Sequence, residues 1–429
     1  MFSFSGVAMG QYNSGVDETE INLSSLGFWS LPKESRDHAF AQLRQKRPIA
    51  YFDEPDWMFT SDGRGYYAVT KYDDVFSISR NPTLFCSGRG AVSIPDLPPQ
   101  FLEFFGSMIN TDDPRHSHLR KVVLRAFTPR RIELLDQRIE QLAKTLISDV
   151  SQRESVDFVA EAASILPLKI ICEMMGVPAD YEKYVLDRSN IILGALDEEF
   201  LPAGKTVEES LIVAAVELTA LMEEIGKDRI ANPKDDITTS LVTASVDGEA
   251  LSASELASFF ILLVVAGNET TRNAIAWGMH CLDRFRDQRD LWFSDFEAIS
   301  ATGVDEIVRW SSPVIFMRRT ATTATSIRGV ELAEGDKLLL LYGSANRDEE
   351  KFTDPDSFIV TRKESRHLGF GGYGPHQCLG AHLARRELHA IFSEVSQVMP
   401  NYEVVGEPSY LFSNFINGIK HLEVKPNAI

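Results

Sequence analysis

The chain has 429 residues and only four cysteines, Cys86, Cys172, Cys281 and Cys378, no two of which form a C-x-x-C pair. That scatter disfavours a zinc site, an iron–sulfur cluster and a disulfide framework. A cysteine with a chemical task here acts alone. Long apolar runs are also missing. The stretch "FFILLVVAG" is about half the length that crosses a bilayer. The amino terminus, "MFSFSGVAMGQYNSG", lacks the basic flank and sustained apolar region of a signal peptide, so a cytoplasmic chain without a transmembrane segment is expected. Positive charge is in deficit, with 43 Lys and Arg against 62 Asp and Glu and a net charge of −19, which argues against a general affinity for nucleic acid. No repeat, low-complexity tract or linker divides the sequence. One domain spanning residues 1–429 is therefore expected, with residues 1–25 as a loose lead-in.

What is present is the composition of a globular protein with a large core, 44% hydrophobic and 24% charged. "LPKESRDHAFAQLRQKRPIAYF" reads as a helix running into a strand, and "YYAVTKYDDVFSISRNP" as a strand followed by a helix. Helical periodicity dominates from Arg115 to Leu282, broken by Pro129, Pro167, Pro178, Pro202 and Pro233. Pro313 to Leu340 is richer in strand formers, and the last thirty residues read as a hairpin. The fold class expected is mainly α with small β-sheets.

Chemistry concentrates in "FGGYGPHQCLGAHLARRE", Phe370 to Glu387. Cys378 stands where a glycine-rich loop meets a stretch that reads as a helix from about Leu379. Unpaired N–H groups and the helix dipole favour an anion there, so a thiolate is stabilised. The glycines let backbone amides close around the sulfur, and Pro375 stiffens the approach. Three readings of Cys378 stand at this point: an inert thiol, a nucleophile with His376 as its only nearby base, or a thiolate ligand to haem iron.

Three further stretches bear on the choice. "ASFFILLVVAGNETTRNAIAWGMHCL" is an apolar helix interrupted by Gly267, Asn268, Glu269, Thr270 and Thr271. Glycine inside a helix costs about 1 kcal/mol relative to alanine, and buried polar groups need partners. A helix end with a new N-cap would explain the interruption. However, no Glu or Gln lies three residues beyond Asn268, Thr270 or Thr271 to complete a capping box. A locally opened helix is the other reading. "GVDEIVRWSSP" sets Glu306 and Arg309 on one helical face, and "NTDDPRHSHLRKVVLRAFTPRRI" does the same for His116 and Arg120. A guanidinium suits a buried carboxylate, and Arg319 in "MRRTAT" is another.

Taken in order from Asp113 to Glu387, these patterns resemble the cytochrome P450 family. Gly374, His376, Cys378, Gly380 and Ala384 match its haem-binding signature. One departure is that Phe370 stands eight residues before the cysteine rather than seven, with Gly371 in the usual place. The resemblance implies a helix-rich prism holding haem b between the long central helix and the cysteine-loop helix, with Cys378 as the iron ligand. His116, Arg120, Arg319 and His376 are the implied propionate partners, with His367 a further candidate. Ala266, Gly267, Phe370, Gly371, Gly380 and Ala384 are the implied haem neighbours. Glu269 would relay protons and the Thr270 hydroxyl would steer cleavage of the O–O bond. Glu306 and Arg309 would form a buried pair behind the cysteine loop. Its usual third arginine is replaced by Ser357 in "TDPDSF", and either Arg347 or Arg362 could substitute.

The implied activity is a monooxygenase using O₂ and two electrons. No flavin or nicotinamide fingerprint is present, so a ferredoxin and an NAD(P)H-dependent ferredoxin reductase are the implied partners. Arg115, Arg120, Lys121, Arg125, Arg130 and Arg131 are the expected docking patch. Phe105, Met108, Val314, Phe316, Phe415 and Ile416 are the expected lining of an apolar substrate pocket. Residues such as "EIVRWSSPV" and "SANRDEEKF" look much like bacterial omega-hydroxylases of methyl-branched lipids, which implies attack on the terminal methyl of a branched fatty acid or isoprenoid chain. A sterol side-chain or polyketide hydroxylase is the alternative, and a non-enzymatic haem lipid sensor comes from a different class.

Overall fold

The computed structural model describes residues 21–55, 63–96, 107–126, 129–243, 251–364 and 366–426. Order begins earlier than the expected lead-in allows. Ile21 and Leu23 are buried, and Ser25 caps the short helix Leu26–Trp29, whose Trp29 Nε1 donates to the Leu23 carbonyl at 2.8 Å.

Ten of the helices are numbered α1 to α10. They are α1 Lys33–Lys46, α2 Tyr72–Ser79, α3 Arg115–Ala126, α4 Pro129–Ser151, α5 Ile165–Met175, α6 Glu182–Gly194, α7 Val207–Ala231, α8 Ala253–Arg284, α9 Phe296–Ser311 and α10 Ala381–Val398. Local sequence sets several of their ends. Thr206 with Glu209, and Ser252 with Glu255, form complete capping boxes at α7 and α8. Gly176 ends α5 in the left-handed region at φ 69°. Of the expected breaks, Pro129 opens α4, whereas Pro167 sits in the first turn of α5, where the missing N–H costs nothing.

Strands are short. They are β1 Ile49–Phe52, β2 Tyr66–Val69, β3 Phe85–Cys86, β4 Val156–Asp157, β5 Phe316–Ala321, β6 Thr325–Ile327, β7 Val330–Leu332, β8 Lys337–Leu341, β9 Glu403–Val404, β10 Ser409–Tyr410, β11 Ile419–His421 and β12 Glu423–Lys425. The main sheet runs β1-β2-β8-β5-β3, with β2 and β8 parallel and the other neighbours antiparallel. The expected carboxyl-terminal hairpin is the β10–β11 pair, and β12 continues the chain to pair with β4 and β9.

The helices enclose one large apolar cluster around α8, and two smaller clusters lie on the faces of the main sheet. Helix α8 runs 32 residues and by length and composition alone could cross a bilayer, though half of its most apolar stretch is buried inside the protein. Gly278 lets α10 pack closely, since a Cβ there would lie 2.4 Å from the Phe392 ring.

Candidate cofactor and active site

The cysteine loop is shaped by close approach and by positive φ. A Cβ on Gly374 would lie 1.8 Å from the Ser79 carbonyl oxygen, and one on Gly372 would lie 2.2 Å from Ser79 Oγ, so both glycines are required for the loop to seat on the end of α2. Gly371 turns at φ 99° and Tyr373 at φ 58°. The Tyr373 N–H donates to Gln377 Oε1 at 2.8 Å, and the Cys378 N–H donates to the Phe370 carbonyl at 2.9 Å. The extra residue between Phe370 and Cys378 is thus absorbed at the glycine turn, and Phe370 still packs against the helical core. Arg385 lies over its ring at 4.4 Å.

Cys378 is the exposed cysteine of the four, yet it lies deep in the protein. Burial raises its thiol pKa, while the Gly380 and Ala381 amides at the start of α10 and the Arg120 and Arg385 guanidinium groups pull it down. By contrast, burial pushes Cys172 and Cys281 up to about 12, with no backbone amide opposing it. Position at a helix start thus distinguishes Cys378 as the one thiol poised to carry charge.

Beside the loop lie two histidines and two arginines. His116 is 2% exposed and Arg319 5%. The His116 and His376 rings stand 4.1 Å apart, and Arg120 donates to the Gln377 carbonyl at 2.9 Å. Burial first, then Arg319, His116 and Arg120, depress the His376 pKa to about 2. Burial and Arg120 also lower His116, whose buried Nε2 has no partner among the described residues. Burial is the leading influence lowering Arg319, whose Nη1 donates only to the Arg318 carbonyl at 2.7 Å. Arg319 is a buried cation that makes no ion pair among the described residues, and such a group needs an anion. A group bearing two carboxylates beside a thiolate-ligated metal answers both the cluster and the accessible sulfur, so these residues fit a haem.

His367 does not join this cluster. Its Nδ1 accepts the Gly369 N–H at 3.0 Å and its Nε2 faces Asp305 at 3.5 Å, so it props the loop against α9.

Across from the cysteine loop, α8 is opened. Residues Ala253–Leu263 are α-helical, Val264–Asn268 form a π turn, and Glu269–Arg284 resume the α-helix. Asn268 has helical φ and ψ and makes no capping bond, which removes the reading of a helix end with a new N-cap. The π turn leaves Ala266 exposed and Thr270 half-buried in the middle of a core helix, and Thr270 Oγ1 donates to the Ala266 carbonyl at 2.6 Å. Gly267 allows α5 to approach, since a Cβ would lie 2.7 Å from Ile171 Cδ1. Glu269 is 1% exposed and ion-paired with Arg272, which donates to Asn190 Oδ1 on α6 at 2.8 Å. Burial raises the Glu269 pKa against the opposing pull of Arg272.

Behind the loop, Arg309 binds Glu306 through two bonds of 2.6 and 2.8 Å. The third member is Arg362, whose Nε reaches both Glu306 oxygens at 3.1 and 3.3 Å. Arg347 instead reaches the Trp310 carbonyl at 3.0 Å and Asp37 at 3.4 Å. Ser357 contributes its carbonyl, to Arg309 and Arg362.

Four of the expected pocket residues come together. Val314 bridges Ile416 and the Phe316 and Phe415 rings meet at 5.3 Å. Phe316 and Ile416 are fully buried and serve as packing behind the half-buried Val314 and Phe415. Met108 borders a cavity of about 490 Å³ between α3 and the start of α8, and Phe105 lies outside the described residues. Arg115 turns to this cavity and pairs with Glu255 at 3.3 Å. Lys121 and Arg130 are exposed, and the side chains of Arg125 and Arg131 lie outside the described set.

Sequence reasoning missed the Arg272–Asn190 link and Glu387. The latter is 2% exposed. Burial raises its pKa to about 8 despite a bond from Thr271, and its Oε1 has no partner among the described residues.

Comparison with known proteins bears on all of this. Residues 301–405 match the family model for cytochrome P450. The methyl-branched lipid omega-hydroxylase of Mycobacterium tuberculosis is 47% identical over 412 residues, covering 95% of each chain. A steroid C26-monooxygenase of Rhodococcus jostii is 38% identical, over 90% of this chain and 80% of that one. Among solved structures, a Mycobacterium marinum cytochrome P450 in complex with pseudoionone superposes with a TM-score of 0.90 at 33% identity, covering 98% of this chain and 100% of that one.

Proposed function

The chain belongs to the cytochrome P450 family and is a monooxygenase; from that premise we propose that it hydroxylates the terminal methyl of a methyl-branched fatty acid or isoprenoid-type lipid. The observation that carries the reading is the 47% identity to the branched-lipid omega-hydroxylase across 95% of both chains, against 38% to the steroid enzyme.

The family implies a haem, taken here to be haem b. Cys378 would hold its iron, and His116, Arg120, Arg319 and His376 would hold its propionates. When bound, the haem supplies reductive activation of O₂ and insertion of one oxygen atom into a C–H bond. The chain's own groups do the rest. With iron on the sulfur, the Gly380 and Ala381 amides would stabilise the negative charge of Cys378. Glu269, kept in the interior by Arg272, carries protons inward, and the Thr270 hydroxyl hands them on from the π turn. Val314, Phe415 and Met108 present apolar surface that excludes water and orients a hydrocarbon chain. Terminal methyl C–H bonds are stronger than internal ones, so the walls must hold the chain end in place.

Electrons come from outside the chain, with a ferredoxin and its NAD(P)H-dependent reductase as the proposed donors. Arg120 places α3 against the cysteine loop, and Lys121 and Arg130 are the exposed cations at that end of α3 and α4. They are the docking residues proposed here, while Arg115 serves the cavity wall. The test of the substrate reading is a spin-state titration of haem-loaded protein with a branched isoprenoid acid, its straight-chain counterpart and cholestenone. Tightest response to the branched acid supports it, and tightest response to cholestenone moves the enzyme to the sterol side-chain group.

A further inference from the structure

We propose that His421 and Lys420 form a pH-sensitive clasp that fastens the connection between α6 and α7 to the carboxyl-terminal strands, and that access to the pocket requires its release. Helix α6 lies over the π turn of α8, and the chain leaving it crosses to the loop that carries Phe415 and Ile416. Asp197, 6% exposed, joins the two directly. Its Oδ2 accepts the Phe412 N–H at 2.9 Å and its Oδ1 accepts Lys420 Nζ at 3.0 Å. Glu199, two residues on, takes Lys420 at 2.8 Å through one oxygen and His421 Nε2 at 2.8 Å through the other.

The imidazole supplies the switch. His421 Nδ1 stands 2.6 Å from Asp157 Oδ2 on β4, so both ring nitrogens face carboxylate oxygens. Only the doubly protonated ring can donate to both. A neutral ring turns one lone pair toward a carboxylate. The two acids are held unequally. Asp157 Oδ1 also accepts the Leu422 and Val159 N–H groups at 3.1 Å each, whereas Glu199 sits on the connection and its side chain is 39% exposed. Loss of the proton therefore releases Glu199. Asp157 and Glu199 are the charged groups that act on the ring; Lys420, next in the chain, pairs with Asp197 and Glu199, and Glu423 is bonded to Ser155.

The hydrogen bond to Asp157, then that to Glu199, raises the His421 pKa against the opposing effect of burial. A pKa raised in the clasped state means the hold is complete below the open-state value of about 6.5. It is then lost as pH rises through the raised one. Lys420 stays charged throughout, so the clasp loosens rather than vanishes.

The proposal rests on the pocket lying under α6 and not on the identity of the substrate. The test is stopped-flow association of n-octyl isocyanide, a neutral haem ligand, with reduced holoprotein between about pH 6 and about pH 9. In the wild type the rate should rise with pH and level off once the imidazole is neutral. His421→Gln should be fast throughout, and His421→Lys, charged throughout, should be slow throughout. Amide exchange in Ala195–Phe200 at low pH should quicken in His421→Gln and stay protected in His421→Lys, a readout that persists even if the pocket reading is wrong. A wild-type rate independent of pH, or His421→Gln keeping the same pH dependence and exchange, overturns the clasp.

Discussion

Removing Arg362 should reveal how much the cysteine loop depends on a charge that local spacing does not mark. Its guanidinium bonds both Glu306 oxygens and three carbonyls, of Thr353, Asp354 and Ser357, with 5% of the residue exposed. Arg362→Ala leaves Glu306 with Arg309 and the Ile359 N–H, but it removes one member of the buried Glu306 network and the bonds that tie it to the Thr353, Asp354 and Ser357 carbonyls. Breaking a buried ionic network in this way costs about 3–5 kcal/mol. With about 2.1 cal/mol/K of unfolding entropy per residue over 429 residues, that loss lowers the melting temperature by about 3–6 °C. Arg362→Lys keeps the charge but loses the planar fork, so an intermediate loss of about 1–2 kcal/mol is expected. Ser357→Ala should be neutral within about 0.5 kcal/mol, because position 357 serves through its backbone. Thermal unfolding of the holoprotein, followed by circular dichroism and by haem absorbance, reads all three. Arg362→Ala as stable as wild type, or Ser357→Ala as damaging as Arg362→Ala, would refute this reading of the network.

Other outcomes follow from the same geometry. Cys378→Ala should stay folded and lose the thiolate-type spectrum of the ferrous carbon monoxide complex; a persisting spectrum would assign the ligand elsewhere. Glu269→Gln should keep substrate affinity and lower turnover about a hundredfold or more, with an unchanged rate removing the carboxyl from the proton path. Glu387 carries a pKa raised by burial to about 8. Its stabilising share is complete below the unfolded value of about 4.3 and declines as pH rises through about 8. Glu387→Gln should therefore flatten the fall in stability across that window, and denaturant titrations at several pH values would show an unchanged slope if this is wrong. Lys121→Glu with Arg130→Glu should slow electron transfer from an acidic ferredoxin and weaken its salt dependence, and unaltered kinetics would move the docking face.

Features set by neighbours in sequence were legible before the structure. Cys378 at a loop–helix junction, His116 and Arg120 four apart, and Glu306 and Arg309 three apart are each fixed by helical spacing, and the structure assembles them as expected. Long-range choices were not legible. Nothing local distinguishes Arg362 from Arg347 as the partner of Glu306, because the distinction lies in how the chain between Asp354 and Arg362 folds back on α9. His367 looked like a propionate partner because a buried histidine beside the cysteine loop has two environments to choose between, and Asp305 claims it. The interruption at Gly267 was visible as a cost, but its resolution as a π turn depends on α5 packing there. Glu387 carried no signal because a glutamate on a charged helix usually faces water, and only the packing of α10 on α8 buries it.

The central claim is attack at the end of a branched chain, and reconstituted turnover with a surrogate ferredoxin system on a methyl-branched fatty acid tests it most directly. Mass spectrometry of the product should show the terminal alcohol as the main species. A product set made up of mid-chain alcohols would contradict the account.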